Sequence, residues 1–395
     1  MRRLVAIALP GGPGFVAAVR STWDAGDAVL VVDHRLPAPA SAILMATARP
    51  HALIDDDRLR PIPVEPGAPP IEDGDALVIA TSGSTGDPKL VVHTHSGLSA
   101  HASAVHQRLD VDVHRDRWLA CLPLAHMGGL GVVLRSLLTD TPLDVIDGFS
   151  AEVVADAPVR LGSTLVSLVP TTLDRIAAAD FRWVLLGGSA DPSNRPPNVV
   201  RTYGLTETGG GVVYDGLPLD GVEVRVEVDG AIFLRGPMMT RGLRHEDGTT
   251  TAVTDPNGWL DTGDRGAWEE AGELRVDGRS DDLIVSGGEN VWPEPVEARL
   301  RSHPSVRDVV VVGRPDPEWG QRVVAVVLAA DPGAPPDLDQ LRGWVRAQLP
   351  PWSAPREVLL VDRLPRTALG KPMRTEVSRQ LPVDPTTVKT DPDRF

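Results

Sequence analysis

Short apolar runs of the length of a β-strand recur along this chain, and several are followed by segments with helical spacing. Such runs occupy residues 28–32, 76–80, 118–122, 165–169 and 183–186. The alternation of strands and helices predicts an α/β fold built on a largely parallel sheet. The 38 glycines and 37 prolines are scattered, so they mark the ends of many short elements instead of forming one low-complexity tract.

The pattern changes in the second half of the chain, which indicates more than one domain. A length of 395 residues is itself typical of two or three domains. Residues 222–228 alternate with period two and residues 231–235 follow a glycine turn, which predicts an antiparallel hairpin. The compact set of elements after it, about 110 residues, is long enough for a core of its own. We therefore predict an N-terminal domain over residues 1–280 and a small α+β domain over residues 281–395, with a poorly patterned tail after Leu381.

Charge and cysteine content disfavour several classes of protein. The formal net charge is −15, with 54 acidic residues against 39 basic ones, which disfavours binding to nucleic acid or to an anionic membrane. The single cysteine, Cys121, excludes an internal disulfide and favours a reducing compartment. No apolar run approaches the roughly 20 residues of a membrane span, and the N-terminal run favours a buried strand over a signal peptide. We therefore expect a cytoplasmic protein that binds anionic ligands through local donors.

A loop rich in serine, threonine and glycine is the first candidate site. It follows the apolar run 76–80, precedes a segment with helical character, and contains Thr81, Ser82, Gly83, Ser84, Thr85, Gly86 and Lys89. Hydroxyls and glycines let backbone N–H groups surround an anion, so the loop predicts a phosphate cradle, the alternative being a flexible polar loop. A generic P-loop ATPase is disfavoured because Gly86 and Lys89 are not adjacent and a leucine follows the lysine.

Four further motifs follow in order along the chain, at residues 203–207, 258–264, 278–290 and 365–371. Tyr203 precedes Gly204, and an aromatic face beside a glycine suits stacking on a purine. Thr206 offers a hydroxyl to a phosphate and Glu207 offers a carboxylate to Mg²⁺, although by itself this segment also fits a turn capped by Thr206. Asp264 lies in a glycine-rich turn, where its carboxylate either accepts hydrogen bonds from a ribose or simply forms the turn.

Taken together, the five motifs resemble those of the adenylate-forming superfamily, which includes acyl-CoA synthetases, luciferases and the adenylation domains of peptide synthetases. The resemblance covers residues 76–374. It implies a large N-terminal domain of mixed sheets with flanking helices and a small, mobile α+β C-terminal domain. It also implies an acid–thiol ligase that uses ATP, Mg²⁺ and coenzyme A. In such a ligase a carboxylate attacks the α-phosphate of MgATP, and the thiol then displaces AMP from the acyl adenylate.

The resemblance also implies roles for individual residues. The catalytic set is Lys371, Thr206, Glu207 and His126, with Glu207 as the magnesium ligand and Lys371 reaching the site from the small domain. The nucleotide-binding set comprises the phosphate loop together with Gly187, Gly188, Ser189, Tyr203, Gly204, Asp264 and Arg279. Asp281 is the expected hinge, about which the small domain turns after adenylation. After that turn, the entry of the thiol is expected to be lined by Ser286, Gly287, Gly288 and Glu289.

Recognition of the acid is expected to involve His126, Arg135, Gly188 and Thr171. Residues 122–129 resemble the segment that shapes the acyl pocket, and Arg135 matches an arginine of the o-succinylbenzoate–CoA ligases of menaquinone biosynthesis. That acid carries two carboxylates, so the one that is not activated needs a cation or hydrogen-bond donors. The alternative for Arg135 is a charge on the exposed face of a helix.

Other functions and partners stay open at this point. One alternative is an enzyme for another aryl or acyl acid, with CoA or a carrier-protein thiol as acceptor, and another is a non-catalytic protein that binds ATP or acyl-AMP. Association into a homodimer is also left open.

Three segments fall outside the family pattern or suggest other chemistry. Residues 189–200 are shorter than usual, and a run of three glycines, 209–211, follows Thr208 in place of small polar residues. Four histidines are crowded together: His93, His95, His101 and His106. A metal site there is disfavoured, because helical spacing does not bring them to one face and zinc-like spacing of cysteines or carboxylates is missing.

Overall fold

Within residues 2–55, 59–61, 71–82, 88–188, 195–366 and 372–381, which the computed structural model describes, the chain forms four β-sheets flanked by helices. The described strands are β1 (Leu4–Ile7), β2 (Ala28–Val31), β3 (Ala52–Ile54), β4 (Leu59–Pro61), β5 (Asp75–Ser82), β6 (Pro88–Thr94), β7 (Trp118–Ala120), β8 (Leu143–Val145), β9 (Leu165–Leu168), β10 (Trp183–Leu186), β11 (Val199–Leu205), β12 (Gly210–Tyr214), β13 (Leu217–Pro218), β14 (Glu223–Val226), β15 (Ala231–Arg235), β16 (Gly242–Arg244), β17 (Thr250–Thr251), β18 (Leu260–Trp268), β19 (Leu274–Arg279), β20 (Ile284–Ser286), β21 (Glu289–Val291), β22 (Val306–Asp316), β23 (Gly320–Ala329) and β24 (Glu357–Leu360). The described α-helices are α1 (Pro13–Asp24), α2 (Ala38–Ala48), α3 (His95–Leu109), α4 (Met127–Thr139), α5 (Ala151–Arg160), α6 (Pro170–Leu173), α7 (Pro293–Arg301), α8 (Leu338–Arg346) and α9 (Arg374–Gln380).

The first sheet has the strand order β17-β16-β6-β5-β2-β1-β3-β4. Strands β1, β2, β3 and β5 are parallel, whereas β6 is antiparallel to β5 and β16 is antiparallel to β6. Every residue of β1 and β2 is buried, as expected for parallel strands covered on both faces.

The second sheet has the order β13-β12-β11-β10-β9-β7-β8 and supplies most of the site. Strands β7 to β11 are parallel, so the residues that follow β9, β10 and β11 lie at one edge of the sheet. Ligands in α/β folds commonly bind at such carboxyl-terminal edges. This edge carries the glycines after β10 and the tyrosine motif at the end of β11.

The third sheet confirms the predicted antiparallel region. Strands β14, β15, β18 and β19 form an antiparallel sheet in which Val224 pairs with Leu234. Strand β18 carries Asp264 and pairs with the strand that ends at Arg279, so two candidate nucleotide-binding residues are neighbours in the ladder.

The last sheet, formed by β20 to β24, has apolar clusters of its own on both faces. Helices α7 and α8 cover one face, and α9 covers the other. These elements match the predicted small α+β unit. The division at residues 280 and 281 stays a prediction.

One local prediction is wrong. A helix was expected directly after the phosphate loop, but the loop joins β5 to the antiparallel strand β6, and α3 begins only at His95. Pairing with both β5 and β16 makes residues 89–93 a strand. The hydroxyl of Thr94 then caps α3, since it accepts a hydrogen bond from the N–H of Gly97 at 3.1 Å. Among the described residues no helix is long and apolar enough to cross a membrane.

Candidate active site

The ends of the phosphate loop lie opposite each other in the first sheet. Thr81 pairs with Lys89, and Ser82 pairs with Pro88. Lys89 is exposed and Thr81 is half-buried, so the lysine side chain has room to reach a ligand at this end of the hairpin. The loop residues Gly83, Ser84, Thr85 and Gly86 lie outside the described residues.

Tyr203, Asp264 and Arg279 form a connected group. The Tyr203 hydroxyl donates a hydrogen bond to Oδ2 of Asp264 at 2.8 Å, and Nη1 of Arg279 lies 3.4 Å from Oδ1 of the same carboxylate. Burial, followed by the charge of Asp264, raises the pKa of the Tyr203 phenol, so the phenol stays protonated and acts as a donor. The three side chains are in contact, with a buried carboxylate beside an aromatic ring, and their nucleotide-binding roles stay predictions.

Gly204 is required by a close approach of two strands. The register between β11 and β12 shifts between Tyr203 and Gly204, and a Cβ atom on Gly204 would lie only 2.0 Å from the carbonyl oxygen of Gly210. Any side chain would push the strands apart, so glycine is needed to keep Tyr203 in place.

Thr206 and Glu207 lie in a short turn whose backbone is held from two sides. The N–H of Thr240 donates to the carbonyl of Glu207 at 2.7 Å, and Nε2 of His93 lies 2.7 Å from the carbonyl oxygen of Thr206. Glu207 is partly exposed. A single accessible carboxylate suits Mg²⁺, which usually takes one or two protein carboxylates together with substrate phosphates. Elsewhere in the described part of the chain, no cluster of three or more histidine, cysteine or acidic side chains could hold a metal.

The segment after β10 lies beside the start of α6. The N–H of Gly187 donates to the carbonyl of Leu168 at 3.0 Å, and Gly188 lies against the ring of Pro170. Thr171, predicted to contact the acid, is exposed on α6. Ser189 lies outside the described residues.

Arg135, on α4, is buried against the second sheet and is not a surface charge. It is 6% exposed, and its guanidinium lies 4.5 Å from the centre of the Trp118 ring. Among the described residues, its Nε and Nη1 atoms have no hydrogen-bond partner. A small cavity adjoins it, lined also by His101, Met127 and Gly209. A buried cation beside a cavity, with no counter-ion in the described part of the chain, is suited to binding an anion.

His126 precedes the helix that carries Arg135. It is half-buried at the N-terminus of α4, where its carbonyl accepts hydrogen bonds from the N–H groups of Gly129 and Leu130 at 3.0 and 2.9 Å. Because Met127 lines the Arg135 cavity, α4 links the predicted acyl-pocket histidine to the buried guanidinium.

The predicted hinge residue precedes the last sheet, and the predicted thiol-side residues lie in and between its strands β20 and β21. Asp281 is exposed in a short turn, whereas Ser286 is buried. The N–H of Gly287 donates to the carbonyl of Trp319 at 2.8 Å, and Gly288 and Glu289 are exposed. Lys371 lies outside the described residues.

An arginine that sequence reasoning missed anchors the helix after Lys371. Arg374 lies 2.9 Å from Asp282, 3.1 Å from Glu294 and 3.0 Å from Glu297. It therefore ties the start of α9 to the residue after the predicted hinge. No local sequence signal marks this contact, because its partners are distant along the chain.

The AMP-binding enzyme family matches residues 62–244, and its C-terminal domain matches residues 295–371. The chain belongs to this family of AMP-binding, adenylate-forming enzymes. A probable 2-succinylbenzoate–CoA ligase of Mycobacterium tuberculosis is 41% identical over 334 residues, which span 78% of this chain and 85% of that protein.

Solved structures agree with this assignment. The o-succinylbenzoate-CoA synthetase MenE of Bacillus subtilis, in complex with the acyl-adenylate intermediate OSB-AMP, matches with a TM-score of 0.80 at 26% identity, covering 95% of this chain and 88% of that one. The same enzyme in complex with ATP and magnesium ion matches with a TM-score of 0.81 at 26% identity, covering 96% of this chain and 90% of that one. The predicted family and fold class are thereby confirmed.

Proposed function

We propose that this protein is an ATP-dependent, AMP-forming 2-succinylbenzoate–CoA ligase of menaquinone biosynthesis. The observation that carries the choice of acid is Arg135, a buried guanidinium beside a cavity, for which the described residues supply no counter-ion. An acid with a second carboxylate supplies the missing negative charge. The relatives named for the same reaction support the proposal.

The first step is adenylation of the acid. The ring of Tyr203 stacks on the adenine, and Asp264 accepts hydrogen bonds from the ribose hydroxyls. Thr206 donates its hydroxyl to the α-phosphate, and the phosphate loop with Lys89 surrounds the remaining phosphates. Glu207 holds Mg²⁺, which supplies positive charge to the phosphates when it is bound. Lys371 stabilises the charge that develops between the carboxylate and the α-phosphate.

The second step is transfer of the acyl group to coenzyme A. The small domain, residues 281–395, turns about Asp281 and withdraws Lys371 from the acyl adenylate. The loop that contains Ser286, Gly287, Gly288 and Glu289 then lines the path of the thiol. The CoA sulfur attacks the acyl carbon, and AMP leaves with the electron pair of the broken C–O bond.

We also propose a location for the enzyme and the molecules that it binds. A cytoplasmic location provides ATP and CoA and suits a chain with one buried cysteine. We propose small-molecule partners, the acid, ATP and CoA, and no nucleic acid. A homodimer stays a prediction.

The first experiment measures pyrophosphate release with MgATP across a panel of acids that includes 2-succinylbenzoate, with and without CoA. We expect strong release with that acid, and a 2-succinylbenzoyl-CoA product confirmed by its mass. Release with other acids alone would retain the mechanism and refute the menaquinone assignment. ATP binding without release for any acid would favour a non-catalytic binding protein.

A further inference from the structure

Two buried histidines bracket the segment that runs from Thr206 to Gly211. Nε2 of His93, on β6, lies 2.7 Å from the carbonyl oxygen of Thr206. Nε2 of His101, on α3, lies 2.9 Å from the carbonyl oxygen of Gly211. The two imidazoles are 0% and 3% exposed, so each contact is shielded from water.

The protonation state of both rings follows from their partners. A carbonyl oxygen only accepts hydrogen bonds, so Nε2 carries the proton in each ring. Burial lowers the pKa of His93 to about 4, and burial together with the charge of Arg135 lowers the pKa of His101 to about 3. Both rings are therefore neutral near pH 7, and each has one N–H, which it donates to the backbone of this segment.

The glycine run between the two carbonyls lies against these rings. Gly209 and Gly210 have φ angles of +73° and +125°, in the region that favours glycine. A Cβ atom on Gly210 would lie 3.4 Å from Cε1 and Nε2 of His101, and one on Gly209 would lie 3.9 Å from both histidine rings. The glycines let the backbone approach the two imidazoles closely. The glycine run and two of the four crowded histidines thus belong to one structural unit.

We propose that His93 and His101 are positioning residues for the two halves of the substrate site, a role that rests on the proposed function. His93 fixes the peptide between Thr206 and Glu207, and thereby the side chains that meet the α-phosphate and Mg²⁺. His101 fixes the far end of the same segment at Gly211 and forms a wall of the cavity beside Arg135.

The two ends of the segment meet different substrates, so the two histidines should affect different kinetic constants. The carbonyl of Glu207 accepts a hydrogen bond from Thr240, and the preceding carbonyl accepts one from His93. The peptides on both sides of Glu207 are therefore fixed, and they set the direction of its side chain. Gly209 and His101 both line the cavity that Arg135 adjoins. Loss of the His93 bond should therefore weaken adenylation, whereas loss of the His101 bond should weaken binding of the acid.

The test at position 93 compares a variant that keeps the donor with one that removes it. The amide N–H of His93→Gln reaches about as far as Nε2, whereas His93→Leu has a similar volume and no donor. We expect His93→Leu to lower kcat for pyrophosphate release about tenfold at saturating acid and MgATP, as for one lost buried hydrogen bond. The KM for the acid should stay within about twofold, and His93→Gln should retain most of kcat.

The matched test at position 101 should show the opposite pattern. We expect His101→Leu to raise the KM for the acid about tenfold while the KM for ATP stays within about twofold. His101→Gln should recover most of the affinity for the acid. The exposed His114→Gln is the control for replacing a histidine outside this unit.

Several outcomes would overturn the inference. Wild-type kinetics in both leucine variants, or the same constant changed in both, would refute the division of roles. If a leucine variant does not fold, His93→Gln is compared with His93→Asn, whose amide falls short of Thr206, and equal kcat values would refute the role of the bond. If the wild type releases no pyrophosphate with any acid, the proposed function fails separately. In that case the affinity for MgATP is measured by calorimetry. Equal affinities of the wild type and His93→Leu would refute the inference.

Discussion

Tyr203 and Asp264 join the second sheet to the third through a hydrogen bond of 2.8 Å between the phenol and the carboxylate. Asp264 is 6% exposed, and Arg279 approaches its other oxygen. The carboxylate predicted to bind the ribose is therefore oriented before the nucleotide arrives, which reduces the ordering that binding requires.

Removal of this hydrogen bond should affect stability more than nucleotide binding. We expect Tyr203→Phe to lower the free energy of unfolding by about 1–2 kcal/mol, because a buried carboxylate loses a donor. The KM for ATP should change less than about threefold, since the aromatic face remains. By contrast, Asp264→Ala should raise the KM for ATP at least about thirtyfold, because both ribose contacts are lost. Chemical denaturation and steady-state kinetics test these expectations, and an ATP KM unaffected by Asp264→Ala would refute the ribose role.

Replacement of Arg135 should separate function from stability. We expect Arg135→Met to raise the KM for 2-succinylbenzoate at least about thirtyfold, because the second carboxylate loses its cation. The unfolding midpoint should stay the same or rise, since an apolar chain replaces a buried guanidinium that no described residue pairs with as a counter-ion. The KM for ATP serves as the internal control. An unchanged acid KM would remove Arg135 from the acid site.

Lys371 should affect only the first half-reaction. We expect Lys371→Ala to reduce pyrophosphate release at least about a hundredfold, because the charge of the adenylation transition state loses its cation. Conversion of supplied acyl-AMP to acyl-CoA should remain near the wild-type rate, since the lysine has by then left the site. Equal losses in the two half-reactions would contradict the proposed domain alternation.

Acidification should destabilise the fold below about pH 6.5. Burial lowers the pKa of His93, His101 and His106 from 6.5 to about 4, 3 and 4, so the unfolded chain binds more protons between those values and stability falls as pH decreases. Glu294 acts in the opposite direction: burial raises its pKa from 4.5 to about 7, so its contribution to stability falls as pH rises across that range.

On acidification the three histidines lower the stability of the fold and the one glutamate raises it. We therefore expect the unfolding midpoint to decrease from pH 6.5 to pH 4.5. The double variant His93→Gln/His101→Gln should show a smaller decrease over the same range. Thermal unfolding at several pH values measures both, and identical slopes for the variant and the wild type would exclude these imidazoles as the cause.

Local pattern predicted much of the fold and the members of the site. The period-two run 222–228 and the return at 231–235 predicted the hairpin of β14 and β15, because alternation of buried and exposed side chains is a property of neighbouring residues. A small α+β unit in the last part of the chain was also predicted, and β20 to β24 with α7 to α9 form it. The strand β6 was missed, because the sheet neighbours that select a strand over a helix at residues 89–93 include β16, more than 140 residues further along the chain.

The sequence by itself determined the family and its chemistry, since five motifs of suitable residue types occur in a fixed order and each carries its chemical groups wherever the chain places them. The tertiary structure alone decided which groups meet: that Arg135 is buried on Trp118 beside a cavity, that Tyr203 donates to Asp264, and that two histidines hold the carbonyls of Thr206 and Gly211. The physical reason is that burial, desolvation and hydrogen-bond geometry depend on the packing of strands and helices distant in sequence. No local pattern encodes these contacts.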